Sequence, residues 1–552
     1  MKRICRRGPA FYLFLFLSAI VVFIFTYRNF SSTHLSSLFE APFEDTKPVR
    51  ALAIELHPKE HIRRLPTSLT HHWNITEGVR APDGVNKTVY LINGEFPGPT
   101  IEARTGDQLI VVVSNQLKKG EGVAIHWHGL HMKGANHMDG VVGVTQKDIP
   151  AGEEFTYKFE ISKTQAGTFW YHSHSELQRA DGLYGGLVIH RRFEQGFSES
   201  DNFDYEDDRL LLVGDWYHRS AADVQASYLQ SRNSENEPVP DSLLINGLGS
   251  FNCSTVVHLV ECKDVRRPSM KMSPGSTRLR VVNVGAMSGF NLTLESGNMR
   301  VIKIDGGNDV VPSASVESVG ILYPGERVDI ISDGPGNSLT IALDLENFHC
   351  PEQVFTAIQT FAIEQPKKQA GHRAIGPMPE SAGQTILVYT HIEMPAHDDQ
   401  VTIGYMNQTN WIPQVEPLLY VPREQWDNHQ FMPTVKATED WVDIVVNNFD
   451  DQGHPFHLHG HDFYVLTRHE FPRADIKPYN PFDPPSQFSS LSEPLLYPRP
   501  NLENPPLKDT IYIPKHGYVI LRIRADNIGV WFFHCHIVWP MVTRLAMGLD
   551  VR

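Results

Sequence analysis

Residues 529–551 read GVWFFHCHIVWPMVTRLAMGLDV, and residues 167–189 read GTFWYHSHSELQRADGLYGGLVI. Aligned without a gap, the two stretches share residues at one constant spacing: Gly167 and Gly529, His172 and His534, His174 and His536, Leu183 and Leu545, Gly186 and Gly548, and Leu187 and Leu549. Since side chains at i and i+2 of a β-strand point to the same face, each histidine pair forms a two-pronged imidazole clamp. The repeat therefore predicts two related β domains that each present such a clamp.

A second clamp precedes each copy, in residues 124–130 (AIHWHGL) and residues 455–461 (PFHLHGH). Chance pairing of 27 histidines in 552 residues would give about one His-x-His. The chain has more, at His126/His128, His172/His174, His457/His459, His459/His461 and His534/His536. Imidazole is a preferred ligand of copper, zinc and iron, whereas calcium and magnesium prefer oxygen ligands. Four clamps in duplicated contexts predict one shared transition-metal cluster.

A third, weaker copy of the unit lies between the two that carry clamps. One strand pattern recurs in residues 106–115 (GDQLIVVVSN), 275–284 (GSTRLRVVNV) and 439–448 (EDWVDIVVNN), and the middle unit has no His-x-His. Short β-branched runs at 109–113, 328–331 and 442–446 are bounded by Gly, Pro, Asn and Asp. The predicted fold class is all-β, with three consecutive Greek-key β-sandwiches and metal ligands in the first and the third.

The domain boundaries follow from these repeats and from composition. We place domain 1 at residues 67–195, domain 2 at 205–365 and domain 3 at 381–552, each of about 150 residues. Residues 366–380 (PKKQAGHRAIGPMPE) have the composition of a linker. Residues 28–66 are interpreted as a stalk.

The N-terminal segment has the features of a targeting sequence. Residues 11–27 contain no charged side chain, and the residues before them include Lys2, Arg3, Arg6 and Arg7. Because such a basic flank stays in the cytosol, we expect residues 1–10 to be a cytosolic tail and residues 11–27 an uncleaved transmembrane helix, the signal anchor of a type II membrane protein. The alternative is a cleaved signal peptide and a secreted chain. Asn-x-Ser/Thr sequons that fit a glycoprotein facing the secretory lumen or the cell exterior occur at Asn29, Asn74, Asn86, Asn252, Asn291 and Asn407.

The net charge excludes one class of binding partner, and the cysteines divide into a candidate disulfide pair and a candidate metal ligand. The formal net charge is −15, which excludes nucleic acid as a partner because a negative chain repels phosphate backbones. Cys253 and Cys262 are close enough in sequence for a short-loop disulfide, whereas Cys350 has no assigned partner. Cys535 lies between two histidines, so we interpret it as a metal ligand.

The motifs HWHG at His126, WYHSH at residues 170–174, HPFHLHGH at His454 and HCH at His534 occur in this order in a three-domain β chain. They resemble those of the multicopper oxidases, specifically the fungal (ascomycete) laccase-like and ascorbate-oxidase-like branch, whose domains are cupredoxin-like. The resemblance covers residues 67–552 and implies a trinuclear copper cluster between domains 1 and 3. The implied ligands are His126, His128, His172, His174, His457, His459, His534 and His536. Asp139 matches an acid that assists proton delivery to oxygen, and its other interpretation is a turn aspartate before Gly140.

The electron-entry site, which in that family holds the type 1 copper, departs from the family pattern. The family ligands are the first histidine of HPFHLHGH, the cysteine of HCH and a histidine in the continuation HCHIxWH, and these positions are His454, Cys535 and Pro540 here. Val538 stands where many relatives have Glu or Asp. Proline has no donor side chain, and two ligands underspecify copper(II). Three outcomes therefore stay open for the fourth copper site. A donor such as Met541 substitutes for the histidine and the protein is active, or the protein is a slow oxidase, or it binds copper without catalysing oxidation.

The resemblance implies an oxidase that takes single electrons from phenolic or related small aromatic substrates and passes four of them to O₂, releasing two waters. Relatives linked to membranes suggest a role in pigment or secondary-metabolite phenol coupling. One alternative is a metallo-oxidase for Fe(II) or Cu(I). The other is a noncatalytic copper-binding protein, which the proline at position 540 motivates.

Overall fold

The computed structural model describes residues 52–194, 196, 198–229, 237–255, 261–265, 270, 275–294, 299–310, 315–332, 339–344, 378–393, 402–483, 496–539 and 543–552. The predicted tail and anchor, Cys350, most of the predicted linker and residues 540–542, including Pro540 and Met541, lie outside them. No helix in these ranges is long and apolar enough to cross a membrane.

Strand β1 (Ile54–Glu55) and helix α1 (Pro58–His61) lie in the segment assigned above to a stalk. Strand β1 pairs antiparallel with a strand of domain 2. Arg64 donates a hydrogen bond of 2.7 Å from Nη1 to Asp107 of domain 1. Residues 52–66 are thus packed on the domains rather than extended as a stalk, because a sheet edge and a buried carboxylate provide them with partners.

Domain 1 consists of two four-stranded sheets with the orders β3-β2-β5-β7 and β4-β9-β8-β6. Its strands are β2 (Ser68–Arg80), β3 (Lys87–Ile92), β4 (Gly98–Arg104), β5 (Gln108–Asn115), β6 (Ile125–His128), β7 (Glu154–Glu160), β8 (Gly167–Ser173) and β9 (Tyr184–His190). Burial alternates along the start of β5, where Leu109, Val111 and Val113 face the core. This is the period of two expected for a strand with one covered face.

Domain 2 has one sheet of order β1-β10-β12-β17-β14-β15, with β11 also paired to β10, and a second sheet of order β16-β13-β18. Its elements are α2 (Glu199–Phe203), β10 (Asp207–Trp216), α3 (Ala221–Tyr228), β11 (Ser242–Ile245), β12 (Thr277–Asn283), β13 (Gly289–Leu294), β14 (Met299–Ile304), β15 (Asn308–Asp309), β16 (Ser318–Leu322), β17 (Arg327–Ser332) and β18 (Leu339–Asp344). The predicted Cys253–Cys262 disulfide is present and is confirmed.

Domain 3 has sheets of order β20-β19-β22-β27-β24-β25 and β21-β29-β28-β23-β26. Its strands are β19 (Gln384–Glu393), β20 (Ile403–Met406), β21 (Thr434–Val435), β22 (Trp441–Asn448), β23 (His454–Leu458), β24 (Phe463–Glu470), β25 (Leu507–Lys508), β26 (Thr510–Ile513), β27 (Gly517–Arg524), β28 (Gly529–Cys535) and β29 (Ala546–Val551). Short 3-10 helices connect strands in the three domains, at Asn136–Met138, Cys253–Thr255, Leu418–Tyr420, Arg423–Gln425 and Ala437–Glu439.

The predicted all-β class is confirmed, and the predicted runs 109–113, 328–331 and 442–446 lie in β5, β17 and β22. One continuous cluster of buried apolar side chains spans domains 1 and 3 and includes Val224 and Met287 of domain 2, and a second cluster lies mainly within domain 2. The shared core places the clamp-bearing strands of domains 1 and 3 opposite each other.

Candidate metal centre

Strand register brings the clamps together in pairs. In domain 1, β6 pairs with β8 so that His126 lies opposite His172. In domain 3, β23 pairs with β28 so that His457 lies opposite His534. The remaining histidine of each clamp extends the same face, as the alternation of side chains along a strand requires.

The clamps of domain 1 then meet those of domain 3. Four cross-domain pairs of rings have centroid distances of 3.9, 3.8, 5.4 and 5.1 Å: His126 with His459, His128 with His457, His172 with His536, and His174 with His534. All of these side chains are buried except that of His174, which is partly buried. The structure therefore brings together all eight histidines that the sequence singles out for the cluster.

Hydrogen bonds fix the proton on two of these rings. Nδ1 of His459 lies 2.9 Å from Oδ2 of Asp139, and Nδ1 of His534 lies 2.9 Å from the carbonyl oxygen of Cys535. Both oxygens only accept, so in a neutral ring Nδ1 carries the proton and Nε2 carries a lone pair. These two Nε2 atoms are 3.1 Å apart, and Nε2 of His174 lies 3.5 Å from that of His534. Lone pairs at this distance repel each other unless a cation lies between them.

Three more rings follow the same rule, whereas Nδ1 of His536 faces the donor Arg179 at 3.1 Å. Nδ1 of His126 donates to the backbone carbonyl of Asp139 at 2.8 Å. Nδ1 of His172 donates to the carbonyl of Ser173, and Nδ1 of His457 to that of Asp509, each at 2.9 Å. Within the described part of the chain, the buried ring nitrogens without a hydrogen-bond partner include Nε2 of His126, His172, His457 and His536 and Nδ1 of His128. An acceptor that holds one ring nitrogen and orients the ring, with the other nitrogen left bare, is the usual arrangement of histidine ligands.

Electrostatics keep the ligand nitrogens available. Burial first, and then the positive charges of neighbouring imidazoles and arginines, lower the pKa of His128, His172, His174, His457, His459, His534 and His536. For His174 the pKa falls to about 3. At neutral pH these imidazoles are uncharged, which is the form that binds a metal ion.

The histidines can be divided into groups that suit three metal ions, although a ring nitrogen of His126 also lies within 4.8 Å of those of His128 and His172 and of those of His457 and His459. His174, His459 and His534 bring one ring nitrogen each within 4.8 Å of the others. The rings of His128, His172 and His536 have centroids 4.8 to 5.8 Å apart. The remaining two, His126 and His457, have centroids 5.6 Å apart. Three, three and two imidazoles fit the implied trinuclear copper cluster, for which imidazole is a suitable donor.

Asp139 lies inside this constellation rather than on the surface. Its carboxylate is fully buried, and Oδ2 accepts from His459 while its backbone carbonyl accepts from His126. Oδ1 is 3.3 Å from Nδ1 of His126 and has no hydrogen-bond partner among the residues described. The following Gly140 has φ +84°, and a Cβ there would overlap the carbonyl oxygen of Ile125, so this turn needs glycine. Asp139 is thus both a turn residue and a contact of two ligands.

A buried ion pair between domains 2 and 3 supports the cluster and was not predicted from the sequence. Arg327 contacts Asp509 through two hydrogen bonds of 2.5 Å. Oδ1 of Asp509 lies 3.6 Å from Nε2 of His128 and 3.6 Å from Nδ1 of His457. Burial would raise the pKa of Asp509, but Arg327 and the histidine hydrogen bonds hold it well below its ordinary value. Gly129 leaves room for this pair, since a Cβ there would lie 2.6 Å from Nη2 of Arg327.

Replacing Arg327 with Met is expected to lower the free energy of unfolding by about 3–5 kcal/mol, because it leaves the Asp509 carboxylate buried without its cation. Urea unfolding of the purified protein measures the change. The double variant Arg327→Met with Asp509→Leu is the matched control, since it removes both charges and should recover part of the loss. A single variant as stable as the wild type would contradict this role of the pair.

The predicted type 1 residues lie next to the cluster. Nε2 of His454 donates to Asp450 at 2.8 Å, which leaves Nδ1 facing the Sγ of Cys535 at 4.0 Å, and both ligands are buried. Burial alone would lower the pKa of His454, but Asp450 and Cys535 raise it to about 10. Val538 is buried and apolar at the position where an acid is common in the family. Position 540 is outside the described residues.

Two further side chains near the centre had no sequence signal. Arg179 is buried and donates to the carbonyl of His536 at 2.7 Å, with Nη1 at 3.1 Å from Nδ1 of the same ring. It lines a small cavity together with His172, His174, Glu176, His534, His536 and Val538. Glu237 is 8% exposed, and burial raises its pKa to about 7 although the charge of His454 lowers it.

Comparison with known proteins supports the interpretation of this site as a copper centre. Profiles of the family described as Multicopper oxidase match residues 74–194, 207–337 and 395–552. Laccase-1 of Cryptococcus neoformans var. grubii is 32% identical over 87% of this chain and 80% of the laccase. An iron transport multicopper oxidase, fetC of Epichloe festucae, is 29% identical over 87% of this chain and 75% of that protein.

The chain belongs to the multicopper oxidase family. The predicted laccase-like relationship, the copper cofactor and the oxidoreductase class are therefore confirmed. A crystal structure of a laccase from Botrytis aclada has the same fold, with a TM-score of 0.71 at 24% identity over 92% of this chain and 93% of that chain. The fold is accordingly all-β and cupredoxin-like.

Proposed function

We propose that the protein is a laccase-like oxidase of phenolic or related aromatic compounds. The observation that carries the proposal is the set of eight inward-facing imidazoles connected through Cys535 to His454. Copper, when bound, supplies one-electron uptake from the substrate and the four-electron reduction of O₂. In balance, four substrate molecules each lose one electron and one proton, and O₂ takes up four electrons and four protons to give two waters.

The chain's own residues organise this reaction. Cys535 lies between His534 and His536 in sequence, so one short covalent path joins the electron-entry ligands to two cluster ligands. We propose that Asp139 accepts and donates protons beside the cluster. Its Oδ1 lies 3.3 Å from Nδ1 of His126, and its Oδ2 accepts a hydrogen bond from His459. Arg179 holds the backbone of His536 in place.

Phenols are favoured over Fe(II) by the apolar side chain at position 538. Val538 is buried and apolar where an acid is common in the family, so this position offers no carboxylate to a metal cation. The similarity to an iron transport oxidase and the carboxylate of Asp450 beside His454 favour Fe(II) as the second candidate. We expect kcat/KM for a dimethoxyphenol to exceed that for Fe(II). A ratio in favour of Fe(II) would select the second candidate.

Glu237 predicts a pH dependence of stability. Its pKa is 4.5 in the reference state and about 7 in the folded protein. A raised carboxyl pKa means that the folded state holds the proton more tightly, so ionisation destabilises it as pH rises from about 4.5 through about 7, by about 3 kcal/mol in total. We expect the stability difference between Glu237→Gln and the wild type, measured by urea unfolding, to shift in favour of the variant between pH 5 and pH 8. The same difference at both pH values would contradict this.

Residues 11–27 are proposed to direct the chain into the secretory pathway as an uncleaved anchor. Exposed sequons at Asn74, Asn86 and Asn252 are compatible with a lumenal domain, whereas Asn291 is buried in the folded domain. Carbonate extraction of membranes from cells expressing the full chain should leave the protein in the pellet. Recovery from the medium with an N-terminus near residue 30 would establish the cleaved, secreted alternative.

A further inference from the structure

A second cluster of metal-ligating side chains lies at the seam between α1 and domain 1. His61, Glu102 and His190 each bring one ligand atom within 4.8 Å of the others. His61 ends helix α1, Glu102 lies in β4, and His190 is the last residue of β9, which runs parallel to β4. None of the three belongs to the eight-histidine cluster.

The contacts converge on one carboxylate. Nε2 of His190 lies 2.8 Å and Nε2 of His61 lies 4.0 Å from Oε2 of Glu102. The other oxygen, Oε1, is 3.0 Å from Nδ1 of His57. The rings of His61 and His190 are stacked with centroids 5.1 Å apart. Three imidazoles therefore surround a single carboxylate.

The donor set has the chemistry of a zinc site. Zinc takes four ligands from histidine nitrogen and carboxylate oxygen, and its coordination is tetrahedral. His57 directly precedes helix α1 and His61 ends it, so one short segment carries both imidazoles. His190 is 1% exposed, which makes it a rigid ligand, whereas His57 and His61 are accessible enough to adjust.

We propose that His61, Glu102 and His190, with His57 as a fourth donor, bind a divalent zinc-type cation that fastens the segment 52–66 to domain 1. In the structure, Nη2 of Arg64 lies 3.3 Å from Nδ1 of His61. A cation bound at Nε2 requires the ring proton to be on Nδ1, so we expect the contact between Arg64 and Nδ1 to lengthen. Arg64 keeps its hydrogen bonds to both oxygens of Asp107. The site links this segment to domain 1, while strand β1 of the same segment pairs with the sheet of domain 2.

The test uses the full chain loaded with copper and then equilibrated with Zn²⁺ alone. Zinc and copper per chain are counted by elemental mass spectrometry after gel filtration. We compare the wild type with His61→Ala, Glu102→Gln and the control His391→Ala, whose histidine faces one glutamate at 3.9 Å. We expect the wild type and the control to retain one zinc more than the other two, whose affinity for zinc falls at least about tenfold. Copper counts should be equal in all four proteins.

Trypsin supplies a second readout that does not depend on the count. Lys59, Arg63 and Arg64 are cleavage sites within the fastened segment. Zinc should slow cleavage at these sites in the wild type and in His391→Ala, and should have no effect in His61→Ala. Equal zinc content together with equal cleavage in the wild type and His61→Ala would overturn the proposal. Because copper is counted in the same samples and none of the eight cluster histidines is changed, that result would leave the proposed function intact.

Discussion

Replacing His459 with Ala is expected to lower O₂ consumption by about a thousandfold or more and to remove copper from the cluster. The substitution deletes the Nε2 that lies 3.1 Å from that of His534 and also leaves Asp139 without its partner. Effects of this size are typical when one member of a catalytic unit is removed. Copper by elemental analysis and O₂ uptake at an oxygen electrode measure the result.

His461→Ala is the matched control for that experiment. His461 completes the sequence pattern HLHGH, but its ring packs against Trp531, and it is in none of the groups of converging ligands found in the described residues. We expect this variant to keep its copper. Circular dichroism checks that both variants are folded. Copper retained by His459→Ala, or lost equally from both, would contradict the ligand assignment.

Replacing Pro540 with His is expected to raise the copper content from about three to about four per chain and to produce an intense absorption band in the red. His454 and Cys535 already face each other at 4.0 Å, and a histidine at position 540 would supply the third donor of a trigonal site. The variant should also oxidise phenols faster, since electrons enter through this site and the wild-type chain, with only His454 and Cys535 as donors there, is expected to be a slow oxidase.

Pro540→Ala is the control for the second experiment, because it removes the proline ring without adding a donor. It should remain at about three copper ions per chain with little red absorption. A wild-type protein that already binds four and is blue would show that another donor replaces the histidine. A Pro540→His protein without the added copper would show that the pocket no longer has the shape of a type 1 site.

The candidate ligands of this centre can be predicted from the sequence because their spacing is local. A spacing of two residues on a strand is enough to make a clamp, so the pair His126 and His128 can be recognised without knowledge of the fold. The short loop between Cys253 and Cys262 is local in the same way, and that disulfide is confirmed.

The supporting residues could not be predicted because their partners are distant in sequence. Arg327 and Asp509 are 182 residues apart, and Arg179 contacts a ring 357 residues away. No spacing rule connects such positions. Strand β1 was missed for the same reason, since two residues carry no periodic signal and their pairing depends on a sheet edge formed by domain 2.

The measurement that tests the central claim most directly is the ratio of phenol oxidised to O₂ consumed by the copper-loaded wild-type chain. Eight converging imidazoles joined through Cys535 to His454 predict four one-electron oxidations for each O₂, with water as the product. Two oxidations per O₂ with accumulation of hydrogen peroxide, or phenol oxidation without O₂ uptake, would contradict the account.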